Sequence, residues 1–291
     1  MLTTLVDTAT LAAHLTDPAW IVVDCRFALA DAAWGSREYL ARHIPGAVYA
    51  DLERDLSGEL SGRNGRHPLP DPEALMRTLG GLGISGGAQV VVYDQDSGMF
   101  ASRLWWLLRW LGHEGVALLD GGFAKWIAEG RPVSEGRETR APRRFAGAPR
   151  PQMVVDVDEV ARIAACEPSR LIDARAPERY RGDIEPIDRV AGHIPGAVND
   201  HFMQNLDEHG TFRSPQALRD RLAAAIGGAP PDEIVCYCGS GVTACHNLLA
   251  LERAGLRGAR LYAGSWSEWS SDPSRPVEQS PGVVEKKGPA T

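Results

Sequence analysis

Short apolar runs recur along the chain at Ile21-Val-Val-Asp24, Val90-Val-Val-Tyr93, Leu171-Ile-Asp173 and Ile234-Val-Cys-Tyr237. Each is too short for a helix and apolar without alternation, the pattern of a strand buried on both faces. Helical stretches separate them. Asp71-Pro72 and Ser214-Pro215 each pair an N-cap side chain with a proline in the first turn. The last run passes through Cys238-Gly-Ser-Gly241 into a helix carrying Leu248, Leu249 and Leu251 that stops near Gly255. The most apolar stretch, Leu104-Trp-Trp-Leu-Leu-Arg-Trp-Leu111, is too short to span a bilayer and is interrupted by Arg109. Its Trp105, Trp106 and Trp110 read as core.

The same landmarks appear twice in one order. His43-Ile-Pro-Gly-Ala-Val48 returns unchanged as His193-Ile-Pro-Gly-Ala-Val198. Asp24-Cys-Arg26 is answered by Asp173-Ala-Arg175, and Asp120-Gly-Gly-Phe-Ala-Lys-Trp126 by Ala263-Gly-Ser-Trp-Ser-Glu-Trp269. A period this long makes each copy a domain rather than a solenoid turn. Strands alternating with helices predict an α/β fold, each copy a mainly parallel sheet with helices on both faces. The expected divisions are residues 1–133, a Gly-, Pro- and Arg-containing linker 134–152, a second copy 153–277, and a disordered tail 278–291. His43, His193, Asp24, Arg26, Asp173 and Arg175 occur in both copies and read as structural supports.

Composition narrows the class. A chain of 291 residues exceeds one comfortable core, and 44% hydrophobic with 24% charged residues describes an ordinary globular protein. The net charge of −7 gives no reason to expect a nucleic-acid or acidic-membrane partner. No signal peptide is evident before Trp20, and five cysteines are too few for a disulfide scaffold. A cytoplasmic location follows as the simplest expectation. No His or Cys pair has zinc spacing, so no metal and no cofactor are expected.

The copies differ at one loop, where chemistry is expected. Cys238 stands at a strand's C-terminal end, the edge where open α/β sheets hold ligands. Gly239 and Gly241 let several N–H groups converge ahead of a helix, which attracts negative charge and favours the nucleophilic thiolate. The plainer reading is a small buried apolar residue. In the first copy the corresponding loop is Asp94-Gln-Asp-Ser-Gly98, which offers no thiol. Only the second copy can be a thiol catalyst; the first becomes a wall of the cleft.

From Leu15 to Pro276 these markers resemble the two-domain rhodanese-like sulfurtransferases. The resemblance implies tandem duplicated rhodanese-like domains, the first inactive and the second catalytic. It implies a sulfur relay in which Cys238 takes a sulfane sulfur from a small-molecule donor and passes it to a thiol acceptor such as a thioredoxin-like protein, or to cyanide. The loop Cys238-Gly-Ser-Gly-Val-Thr243 is similar to that of members using 3-mercaptopyruvate; thiosulfate-preferring members carry Arg and Lys where Gly239 and Ser240 stand. The resemblance maps a proton-handling trio onto Glu53, His67 and Ser240, with Glu53 replacing the family's usual Asp. It also maps donor-carboxylate binding onto Arg179, with Arg189 as the candidate second arginine because Ile187 follows Glu185-Pro186. Backbone groups of Gly239, Gly241, Val242 and Thr243 are implied to cradle the outer sulfur.

Plainer roles stand beside these. His67 reads equally as a polar loop residue, and Arg179 as a surface helix residue. A thiolate phosphatase would need an Arg six residues after Cys238, where Ala244 stands. A scaffold with a dead thiol, and thiosulfate as main donor, remain rivals that activity measurements separate.

Overall fold

The computed structural model describes residues 1–167 and 170–280. The strands are β1 Leu5–Val6, β2 Trp20–Asp24, β3 Val48–Tyr49, β4 Gln89–Tyr93, β5 Val116–Leu119, β6 Val154–Val155, β7 Leu171–Asp173, β8 Val198–Asn199, β9 Val235–Tyr237 and β10 Arg260–Tyr262. The helices are α1 Thr8–Ala13, α2 Trp34–Ala41, α3 Pro72–Gly81, α4 Ala101–Trp110, α5 Gly122–Ala128, α6 Val157–Cys166, α7 Pro177–Arg181, α8 Pro215–Ala225, α9 Thr243–Arg253 and α10 Ser265–Trp269. The strands form two five-stranded sheets in orders β1-β5-β4-β2-β3 and β6-β10-β9-β7-β8. Pairing is parallel throughout both, so the sequence repeat is a repeat of topology.

Strand alternation sorts the side chains into layers. Val91 and Tyr93 of β4 enter one outer core, and Val235 and Tyr237 of β9 another. Val90, Val92, Ile234, Cys236 and Cys238 point the other way, into a single apolar core shared by both sheets. There α4 packs against α9, the helices that follow the two equivalent loops. Cys238 is thereby aimed at the boundary between the copies.

The repeated motifs brace the sheets. Asp24 and Asp173 each take a forked, buried ion pair from the arginine two residues on, at 2.7 Å in both copies. Those arginines also donate to the carbonyls of Arg42 and Gly192, just before the repeated histidines. His43 and His193 are buried and bonded through Nδ1 to the Tyr39 and Tyr180 carbonyls. Trp266 and Trp269 lie in the second outer core, and the Trp266 indole donates to the carbonyl of Val190, which lines the cavity.

The connecting stretch is laid down along the first sheet's helices. His43 pairs with Ser134, Arg143 N–H donates to Gly80 O, and Phe145 is buried. At the far end Glu278 pairs with His193, and Ser280 N–H donates to Arg181 O. The expected tail therefore begins paired at 278–280; its remainder, 281–291, lies outside the described residues.

Candidate active site

β9 delivers Cys238 to the top of the sheet, and three contacts fix the backbone of Cys238 and Gly239. Its N–H donates to Ser265 Oγ at 3.1 Å, its carbonyl accepts from Trp266 N–H, and the Gly239 carbonyl accepts from Ser267 N–H. Gly241 adopts φ +75°, and a Cβ there would stand 2.4 Å from the Ala263 carbonyl oxygen, so only glycine fits. The turn releases the chain into α9, whose first turn receives no side-chain cap, leaving its N–H groups facing the loop. Val242 and Ser240 are buried; Thr243 is half-buried at the helix start.

The first copy shows what such a loop does with an anion. Asp94 occupies the place of Cys238, and its buried carboxylate accepts from the N–H groups of Gly98, Phe100, Ala101 and Asp96 at 2.8–3.2 Å. Burial raises its pKa to about 6, with the Ala101, Phe100 and Gly98 amides opposing the rise.

Ser240 Oγ lies 2.7 Å from His67 Nδ1, joining the two copies. Burial, assisted by Arg103 and Arg66, lowers the His67 pKa to about 4, so the imidazole is neutral at neutral pH. Glu53 is exposed on the wall of the adjoining cavity and makes no hydrogen bond to His67, so the expected trio is a pair among the described residues. The cavity measures about 990 Å³ and is lined by His67, Arg66, Asp188 and Arg189, among others.

Arg179 reaches the loop, but bound to Glu185 Oε1 at 2.6 Å and Asp188 Oδ2 at 3.3 Å. Arg189 is exposed on the cavity rim. The arginine facing Arg179 across Gly239 is instead Arg66, from the first copy, which pairs with the other oxygen of Asp188. Among the other cysteines, burial pushes the thiols of Cys25 and Cys236 up, and that of Cys245 up to about 12. All five are free thiols. Among the described residues no cluster of His, Cys, Asp or Glu could hold a metal ion, and no helix is long and apolar enough to cross a membrane.

The model of the rhodanese-like domain matches this chain twice, at residues 7–129 and 156–272. The chain belongs to the rhodanese-like sulfurtransferases. A Pseudomonas aeruginosa protein named probable 3-mercaptopyruvate sulfurtransferase is 52% identical, over 92% of this chain and 95% of that one. The thiosulfate sulfurtransferase of Bos taurus is 36% identical, over 82% of this chain and 83% of its own length. The solved 3-mercaptopyruvate sulfurtransferase of Escherichia coli superposes with a TM-score of 0.78 at 35% identity, covering 92% of this chain and all of that one.

Three residues of this rhodanese-like site escaped the sequence reading. Arg103 of α4 is wholly buried; it donates to Gly241 O at 3.1 Å and to the carbonyls of His67 and Pro68. It directly precedes the apolar run that contains the tryptophans, and a charge abutting such a run was the available signal. Ser265 holds φ +55°, a region that side chains rarely adopt, where the first copy has Gly122. A serine in a glycine's place, visible on aligning the copies, marked it. Arg66 adjoins His67, but only folding brings it over Gly239.

Proposed function

We propose that this sulfurtransferase moves a sulfane sulfur from 3-mercaptopyruvate, through a persulfide on Cys238, to a thiol acceptor. One observation carries the reading: Cys238 takes the place that Asp94 holds in the first copy, where four amides wrap an anion. A persulfide's outer sulfur is such an anion, and the amides of residues 239–243 would stabilise it as an oxyanion hole does. The proposed division of labour makes 153–277 the catalytic copy and 1–133 the opposite wall, joined by 134–152.

In the first step the Cys238 thiolate attacks the donor's sulfur, the S–S bond forms and the donor's C–S bond breaks. The carbon fragment leaves as pyruvate enolate, and the donor thiol's proton ends on its methylene carbon to give pyruvate. Ser240, with its proton shared to neutral His67, moves that proton. Arg179 takes the donor's carboxylate. Exposed Glu53 has no part in the proton path. In the second step an acceptor thiolate, such as that of a reduced thioredoxin-like protein, attacks the outer sulfur and restores the Cys238 thiolate. A reducing cytoplasm suits both thiols.

The donor choice is supported by the name of the Pseudomonas aeruginosa relative and by Gly239 and Ser240 standing where thiosulfate-preferring members carry cations. Intact mass after donor exposure tests the reading. A gain of about 32 Da on the chain, absent from Cys238→Ser, is expected, and no gain with any donor would overturn it. Higher kcat/KM for thiosulfate than for 3-mercaptopyruvate would reverse the donor assignment alone.

A further inference from the structure

The bridge from Arg66 through Asp188 to Arg179 lies between the cavity and the thiol. A Cβ on Gly239 would stand 2.9 Å from Arg66 Nη2 and 3.6 Å from Arg179 Nη1, so both guanidinium groups rest on the residue after Cys238. Arg66 and Asp188 line the cavity, whereas none of residues 238–243 is among its lining residues. Cys238 itself is only 2% exposed. A donor small enough to cross the cavity therefore meets this bridge before it meets the thiol.

The two carboxylates beside Arg179 are held differently. Glu185 is tied down by the N–H groups of Ile187 and Asp188 as well as by Arg175 and Arg179. Burial works against its charge, but the Arg179 bond and those amides outweigh it and leave its pKa below the usual carboxylate range. Among the described residues the Asp188 side chain is held only by the two arginines. Burial raises its pKa, and Arg66 only partly opposes this. It belongs to a loop whose neighbours Ile187, Arg189 and Val190 are exposed, so it can swing outward while Glu185 stays.

Charge balance points the same way. Arg66, Arg175 and Arg179 are matched by Asp173, Glu185 and Asp188, and a further carboxylate would leave a half-buried excess of negative charge. Arg66 also keeps its Nε buried without a partner, ready to complete a forked contact.

We propose that Asp188 is an internal stand-in for the donor's carboxylate: it fills a seat made by Arg179 and by Arg66 of the opposite copy, and the donor binds by displacing it. This rests on the reading of the site as one for a carboxylate-bearing sulfur donor. The second arginine of that seat is thus Arg66 rather than Arg189, and donor affinity is set by a competition inside the chain.

Pyruvate, the donor's carboxylate without its sulfur, tests this on the full chain carrying Cys238→Ser, where no turnover occurs. Titration calorimetry should show Asp188→Asn and Asp188→Ala each binding pyruvate about fivefold more tightly, because the competitor is gone. Arg66→Gln should weaken binding about tenfold, and more than Arg189→Gln does. In the chain retaining Cys238, Asp188→Ala should raise the rate of Cys238 alkylation by iodoacetamide about threefold. Asp188 variants that bind pyruvate no more tightly would make Asp188 a brace and overturn the proposal. Arg66→Gln binding as well as Arg189→Gln would overturn the seat. Sulfur uptake by the unaltered chain from 3-mercaptopyruvate and from thiosulfate is measured alongside. A chain that gains sulfur from either while its Asp188 variants fail the titration refutes the displacement alone; one that gains none from both refutes the transfer reading, and the titration still decides the seat.

Discussion

The guanidinium of Arg103, on the helix after the first copy's carboxylate loop, donates at 3.1 Å to the carbonyl oxygen of Gly241 in the second copy's thiol loop. The same group holds the His67 and Pro68 carbonyls at 3.0 and 3.2 Å. One buried cation thus holds both sides of the Ser240–His67 contact from behind, through Gly241 and His67, and the copy whose loop lacks a thiol helps to shape the loop that has one. Burial lowers the Arg103 pKa, with Cys245 and Cys238 opposing, and the Cys245 thiol donates to the same Gly241 carbonyl.

Removing that cation should damage stability and catalysis together. Arg103→Met strands three carbonyls in the interior and should cost about 3 kcal/mol in urea unfolding, each lost acceptor contributing about 1. Arg103→Lys, which keeps the charge but reaches fewer carbonyls, should recover part of the stability. Its kcat/KM should remain about tenfold below the unaltered chain, because loop geometry needs the fork. Unchanged kcat/KM in the lysine variant would reduce Arg103 to a simple counter-charge.

Ser265 separates strain from function. Its left-handed backbone is unfavourable for a side chain, and its hydroxyl bridges Cys238 N–H to Tyr262 O. Ser265→Gly relieves the first and removes the second, so the two effects should nearly cancel, leaving stability within about 1 kcal/mol. Activity should still fall about tenfold, because the backbone carrying Cys238 loses its anchor. Ser265→Ala keeps the strain and loses the bond, and should be the less stable of the two by thermal melting.

The duplication was legible because it is written in residues whose work is local. His-Ile-Pro-Gly-Ala fixes a turn, Asp-x-Arg closes an ion pair two residues long, and Asp71-Pro72 caps a helix. The position of Cys238 followed from the same logic of strand, glycines and helix. What stayed hidden depends on pairing between distant segments. Arg66 and Arg179 are far apart in the chain and meet at Asp188 and over Gly239, whose lack of a side chain permits that approach. Glu53 is the opposite case: a carboxylate at the place the resemblance implies is exposed and makes no hydrogen bond to His67.

His67 should reveal its role through the donor. Thiosulfate carries no proton on its sulfane sulfur, whereas 3-mercaptopyruvate must move one. His67→Ala should therefore lower kcat/KM for 3-mercaptopyruvate about a hundredfold and that for thiosulfate much less. With its pKa near 4, the imidazole stays neutral across the working range. The pH profile of the unaltered chain should accordingly show no histidine inflection between pH 5.5 and 7.5, an estimate of about one unit around the ordinary value. Equal losses for both donors would assign His67 to loop support instead.

His246 makes stability acid-sensitive. It is wholly buried between the copies, with Nε2 3.0 Å from the Ser97 carbonyl and Nδ1 3.0 Å from Asn205 Nδ2, so Nε2 carries the proton and the ring is neutral. Burial lowers its pKa to about 3, with the Ser97 carbonyl opposing and Arg221 and His201 adding to the fall. The unfolded chain binds this proton near pH 6.5 and the folded chain only near 3, so stability declines as pH drops through that window and levels off below it. At 1.36 kcal/mol per pH unit, His246 should withdraw about 2 kcal/mol between pH 6.5 and 5, and His67 a similar amount. Asp94, with its pKa raised to about 6, binds its proton earlier in the folded chain and returns about 1 kcal/mol by pH 5. Urea unfolding at pH 7 and pH 5 should thus show a net loss, and His246→Gln should lose about 2 kcal/mol less between the same two pH values, whatever its starting stability. An identical pH dependence in the variant would mean that His246 is not held neutral by the fold.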